Sequence, residues 1–357
     1  MKDEKSISFL TKFCIVIAFG GFIIAFLSLG HLTKLLHQEK SINVLVWGQV
    51  LDKEFLSDFE QETGIRVNMS YIENNEELFA KLHSTESHDY DLVMPSDWAV
   101  ELLIKDGLIK KLDRSKISAW DNVYPTLCHH YFDPGNEYTI PFFWSLMGLG
   151  VNKFCWNKES IPQTWGLIFD QQIMPKRIGM IENPRAFILL AAFYLFGEVR
   201  SFNNNEIDAV KKLLITQKSH VEIYTDSRSE YVLAAGDVSV GVVLSSDLLK
   251  IMKRFENIDF IIPHEGAFAI IDSFAITTIS EKDDFVYAFL NYLFRPDIVE
   301  KYVNKFDFFP AVQLDIVYDD RFAQLTEPTD TLFNKIYFFK DVIPKEVVND
   351  ILITLKT

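Results

Sequence analysis

Cysteine is nearly absent: Cys14, Cys128 and Cys155 are the only three in 357 residues. So few exclude a disulfide framework and leave one bridge, Cys128 with Cys155, open in an exported chain. Catalytic signatures are missing too, with no P-loop, GxSxG, HExxH or CxxC. No nucleophile and base can be assembled, so an enzyme is not expected. Positive charge is short, with 35 Lys and Arg against 50 Asp and Glu for a net −15. That balance argues against nucleic acid as a partner. Cys128-His129-His130 offers metal-ligating types, but adjacent residues rarely converge on one ion, so neither a metal nor a cofactor is expected. There is no short-period repeat and no low-complexity segment.

What is present suits a folded protein with large cores. The chain is 48% hydrophobic and 24% charged, with 31 Phe, and is long enough for two domains. Lys2, Lys5 and Lys12 flank an uncharged run from Phe13 to Gly30. That run fits a signal-peptide core or a minimal membrane span, so residues 1–30 read as a signal peptide or membrane anchor. Small residues at Ser28-Leu29-Gly30 suit cleavage before His31, and no cysteine follows the run to carry a lipid. Export is expected, with the remainder in the periplasm or on the outer face of the cytoplasmic membrane. Residues 31–41 have no core pattern and read as a tether.

From Ser41 onward strands and helices alternate, which predicts an α/β fold with a parallel sheet. The most informative stretch is Asp89-Tyr90-Asp91-Leu92-Val93-Met94-Pro95-Ser96-Asp97-Trp98. Leu92 to Met94 predicts a buried strand, Pro95 ends its ladder, and Ser96 offers a hydroxyl to cap an amphipathic helix over Val100 to Ile109. Open α/β sheets bind ligands just beyond the carboxyl ends of their strands. Trp98 adds a flat aromatic face there, suited to a methylene chain or an ammonium group. Tyr138 to Asn152 and Ala267 to Thr278 predict extended strands that cross between two halves.

The chain resembles the extracytoplasmic spermidine/putrescine-binding proteins of polyamine ABC importers. The resemblance is carried in order by Trp47, Glu62-Thr63-Gly64-Ile65-Arg66-Val67, Glu73-Asn74-Asn75-Glu76 with Ala80-Lys81-Leu82, and Tyr90-Asp91-Leu92-Val93-Met94-Pro95-Ser96. It continues through Tyr138-Thr139-Ile140-Pro141, Gly150-Val151-Asn152, Asp272-Ser273 and Leu293-Phe294-Arg295-Pro296-Asp297. It implies a two-lobe periplasmic-binding-protein fold of type II with the ligand cleft between lobes, after the N-terminal hydrophobic segment. Lobe 1 would hold residues 42–145 and 272–316, and lobe 2 residues 146–271 and 317–357. The implied function is capture of a small cationic solute and delivery to an ABC permease in the inner membrane, by a monomer.

Carried over position by position, the resemblance implies ligand contacts from Trp47, Ser96, Trp98 and Asp272. The family's Asp-x-Arg-Glu element aligns with Asn183-Pro184-Arg185-Ala186. Arg185 is kept and both acids are lost. Two cage tryptophans become Leu244 and Ile270. Truncating one member of a buried charge pair costs about 2–5 kcal/mol, against about 8 kcal/mol for micromolar binding. The family's pose is therefore in doubt unless Asp97, Glu73 or Glu182 takes over. Arg185 either attracts a ligand carboxylate or pairs with Asp272 across the cleft. The alternatives left open are an amino-acid-like or neutral ligand, and an anchored interaction protein that no longer binds one.

Overall fold

The computed structural model describes residues 40–48, 50–51, 53–84, 90–156, 160–225, 228–314, 322 and 325–356. The hydrophobic run at 13–30 and most of the tether lie outside them. Among the described residues no helix is long and apolar enough to cross a membrane.

The chain opens with strand β1 (Ser41–Trp47), helix α1 (Lys53–Thr63), β2 (Arg66–Ile72), α2 (Asn75–His83), β3 (Leu92–Val93) and α3 (Asp97–Lys105). Each boundary has a local cause. Gly64 stops α1 at a φ of +69° that L residues rarely adopt. Asn74 caps α2 by accepting the Glu77 N–H at 2.8 Å, and Glu77 returns a carboxylate to the Glu73 N–H at 2.9 Å. Along β1, Ile42, Val44 and Val46 face one core while Leu45 faces another. Burial on both faces is what a parallel strand covered by helices requires.

Fourteen residues form β4 (Thr139–Asn152), and its entry is clamped by Asp133. That carboxylate accepts the N–H groups of Glu137, Tyr138 and Thr139 and the Thr139 hydroxyl, all at 2.9–3.0 Å. A second α/β series follows: β5 (Ile178–Met180), α4 (Pro184–Phe196), α5 (Asn204–Lys218), β6 (Val221–Tyr224), α6 (Ser229–Ala235), β7 (Val240–Leu244), α7 (Ser245–Met252) and β8 (Ile258–Ile261). Strand β9 (Ala267–Ile276) then returns to the first series. After it come α8 (Asp283–Leu293), α9 (Pro296–Phe306), β10 (Phe309–Pro310), β11 (Ile336–Phe338) and α10 (Lys345–Lys356).

The sheet is mixed, not parallel throughout. Its order is β2-β1-β3-β9-β4-β7-β5-β6, with β8 and β10 on β4 and β11 on β9. The β1–β2, β1–β3, β5–β6 and β5–β7 pairs are parallel. The crossing strands β4 and β9 run antiparallel to each other and to the strands they join. One core draws on residues 42–142 and 274–312, another on 147–268 and 343–351, and a third links Leu45 and Val93 to Val243 and Leu248. In the first core Phe59 is fully buried against Phe289 and Tyr292, a packing whose removal costs about 3–5 kcal/mol.

Cys128 and Cys155 are free thiols, not a bridge. His130 Nε2 lies 2.8 Å from the Thr126 carbonyl oxygen, and its ring packs on Phe338. His129 Nδ1 lies 3.0 Å from the Pro134 oxygen. The two rings are held by backbone groups, and among the described residues no cluster is suited to a metal ion.

Candidate functional site

A cavity of about 1100 Å³, including the open space at its mouth, lies where the two α/β series face each other. Its walls come from the carboxyl ends of strands and the helix starts that follow. Trp47 ends β1, Glu73 follows β2, and Ser96, Asp97 and Trp98 follow β3. Opposite stand Asn183, Arg185 and Leu189 after β5, Leu244 at the end of β7, and Asp247 after it. The crossing strands supply Met147 and Ile270, and Phe339, Lys340 and Asp341 close one side.

Sheet register brings Ser96 to Asp272. Strand β3 pairs with β9 so that Leu92 faces Ile276 and Val93 faces Ala275. Extending that register puts Ser96 opposite Asp272, where the two form an isolated bridge. The Ser96 hydroxyl donates to Asp272 Oδ1 at 2.6 Å. This corrects the capping expectation. Ser96 stands at the cap position of α3 but makes no side-chain cap bond, because its hydroxyl serves the buried carboxylate. The helix is also shorter than expected, ending at Lys105.

Asp272 is 8% exposed and Asp97 only 1%. Burial pushes the Asp272 carboxyl up to about 7, against the pull of the Ser96 hydroxyl and the Trp47 indole. The Trp47 N–H is buried with no acceptor at ideal hydrogen-bonding geometry, yet it lies close enough to draw the Asp272 carboxyl downward. Asp97 is driven well above the usual carboxylate range, first by burial and then by the Asp272 charge, with the Trp98 N–H opposing. Its Oδ1 accepts that N–H at 2.7 Å, and its Oδ2 is buried with no partner. Across the cavity, burial raises Asp247 as well, against Lys250.

Five of the six expected residues, Trp47, Ser96, Trp98, Asn183 and Arg185, line this one cavity, and the sixth, Asp272, is bonded to Ser96. Trp98 packs against Phe79 with ring centroids 6.1 Å apart. The Asn183 side chain caps α4 by accepting the Ala186 N–H at 3.2 Å. Arg185 does not pair with Asp272. Its Nη1 bonds the Asp341 carboxylate and donates to the Ile343 carbonyl at 2.9 Å, because the C-terminal segment, not β9, lies beside the start of α4. Of the acids considered as replacements, Asp97 and Glu73 line the cavity; Glu182 is exposed outside it.

Asp247 and Glu76 escaped the sequence reading. Asp247 sits three residues past Leu244 in the first turn of α7, where an acid is the ordinary partner of the helix dipole and gives no sign of a ligand. Several helix starts converge here and favour anions, yet the residues at those starts include Glu76, Asp97 and Asp247. With Arg185 tied to Asp341, Lys340 is the other cation on the walls, and its ammonium sits 4.7 Å from the centre of the Tyr131 ring. The cavity is therefore acidic and part aromatic, which suits ammonium groups on an apolar chain.

Residues 54–320 match the family model described as bacterial extracellular solute-binding protein. The chain is 29% identical over 329 residues to the putrescine-binding periplasmic protein SpuD of Pseudomonas aeruginosa, covering 86% of this chain and 88% of that one. It is 27% identical over 255 residues to a spermidine/putrescine-binding periplasmic protein of Escherichia coli, covering 71% and 73%. In three dimensions it resembles the spermidine/putrescine ABC transporter substrate-binding protein PotD of Streptococcus pneumoniae. There the TM-score is 0.75 at 20% identity, over 89% of this chain and 98% of that one. Motif order, the fold of two facing α/β series and this match together place the chain in the family of bacterial extracellular solute-binding proteins.

Proposed function

We propose that this protein captures a short polyamine, putrescine or spermidine, outside the cytoplasmic membrane and presents it to an ABC permease, with no chemistry on the ligand. The observation that carries the reading is the buried carboxylate of Asp97 beside Trp47 and Trp98 on the cavity wall, with a second buried carboxylate, Asp272, bonded to the wall residue Ser96 just behind it. One ammonium group would sit between the pair, the methylene chain would lie on the indoles, and Asp247 would meet the far end. The names of the relatives in Pseudomonas aeruginosa and Escherichia coli support the same ligand class. The pairing of Arg185 with Asp341 counts against a carboxylate-bearing ligand, because it occupies the guanidinium such a ligand needs.

The reading includes two lobes, residues 42–145 with 272–316 and residues 146–271 with 317–357, closing on the ligand by hinge motion about β4 and β9. The separate cores of the two series support that division, as does the seating of β11 on Ala267 to Ala269 of β9. The test is thermal denaturation of the full chain in mild detergent with putrescine, spermidine, amino acids and simple cations. Putrescine or spermidine at about a hundred times Kd should stabilise by roughly 2.7 kcal/mol, a clear rise in Tm. A flat response to every amine would refute the assignment.

A further inference from the structure

Among the described residues, Asp97 is a buried acid with no evident structural purpose. Its side chain is 1% exposed, one oxygen takes the N–H of its own neighbour Trp98, and the other has no partner while the residue lines the cavity. Burying an unpaired charge is costly, and the usual outcome is that the group holds a proton. The second carboxylate is close by construction. Asp97 follows Ser96, and Ser96 is bridged through backbone and hydroxyl to Asp272.

We propose that Asp97 is a ligand-gripping residue that shares one proton with Asp272 in the ligand-free protein, and that an incoming ammonium group displaces this proton. The step balances in charge: a carboxylic acid and a carboxylate plus R–NH3+ become two carboxylates holding R–NH3+, with one H+ released to solvent. Two like charges in one dry site ionise as a coupled pair, so the proton belongs to both. The charged and titratable neighbours are few. Asp272 on β9 and Tyr131 before β4 act on Asp97 or feel its charge. Glu73 just before α2 and Glu76 on it line the same cavity, and across it are Asp247 and Lys340, with Arg185 already bound to Asp341. No cation in this set bonds either carboxylate, so the ligand must supply one.

This rests on the polyamine reading but fails separately from it. The measurement is calorimetric titration of putrescine into the full chain at about pH 8, in buffers of widely different ionisation enthalpy. About one proton should leave per putrescine bound, seen as an apparent enthalpy that changes with buffer. In Asp97→Asn, release should fall below about half a proton and Kd should rise about tenfold or more. The same variant should melt at a higher temperature than the parent without ligand, since it removes a buried ionisable group that has no partner. A merely structural Asp97 would do the opposite. Binding with buffer-independent heat, or Asp97→Asn affinity within about twofold of the parent, overturns proton sharing and leaves polyamine capture standing. Absence of putrescine and spermidine binding by the parent chain overturns both.

Discussion

A carboxyl group whose folded-state pKa lies above its unfolded value makes the native state less stable as it ionises. Asp272 is such a group, raised by burial from an ordinary 3.8 to about 7. Below the unfolded value both states are protonated and nothing is lost. Between about pH 4 and pH 7 the unfolded chain gives up its proton first, so stability falls with rising pH, by roughly 4 kcal/mol in all for this residue alone. The ligand-free protein is expected to lose Tm steadily across that window, and Asp272→Asn is expected to flatten the slope. Equal slopes in the two proteins would contradict the assignment. The sequence made Trp47, Ser96, Trp98 and Asp272 legible because each stands in an ordered motif. It hid Asp247 and left Asp97 as one of three candidate replacements, because an acid in the first turn of a helix is the ordinary partner of the helix dipole. Only burial, which depends on the opposite wall, distinguishes a ligand-binding acid from a solvated one.

Among the elements, the crossing strand β4 shows how closely the two series are fitted. Gly148 faces Val243 of β7, and its neighbour Leu149 pairs with Ile261 of β8. A Cβ at Gly148 would lie 2.6 Å from the Phe260 ring and 2.8 Å from the Ile261 carbonyl oxygen. Gly148→Ala should therefore cost about 1–3 kcal/mol in urea unfolding, whereas Gly48→Ala, with nothing within 4 Å of the added carbon, should be near neutral. Comparable losses in both would show that steric room at β4 is not what decides. Most elements were legible from periodicity and punctuation, including β4 and β9 as long extended segments. The mixed character of the sheet was not, because strand direction relative to a neighbour depends on partners far away in sequence. Asp272 and Ser96, 176 positions apart, meet only through that pairing.

At the scale of the whole molecule, the C-terminal segment completes the cavity. Strand β11 adds to β9 in parallel and α10 packs on the core of the second series, which carries Lys340 and Asp341 to the mouth of the site. The Arg185–Asp341 pair is about one-third exposed on each side chain, so it contributes about 1 kcal/mol or less to stability. On the proposed polyamine reading its electrostatic role would be larger, since the guanidinium would repel the far ammonium of a long polyamine. Arg185→Ala should leave Tm within a few degrees of the parent and tighten spermidine binding severalfold by releasing Asp341 toward the cavity. Weakened spermidine binding in titration calorimetry would contradict this. The two free thiols differ in reactivity. Cys155 is exposed just past the end of β4, while burial pushes the Cys128 thiol up to about 11 and keeps it in its unreactive form at neutral pH. In a Cys14→Ser chain, a maleimide fluorophore would therefore attach at one place on the second series. Cys155 lies past the end of β4 remote from Met147, the β4 residue on the cavity wall, so the same coupling would fasten the protein to a surface and leave the mouth of the site clear.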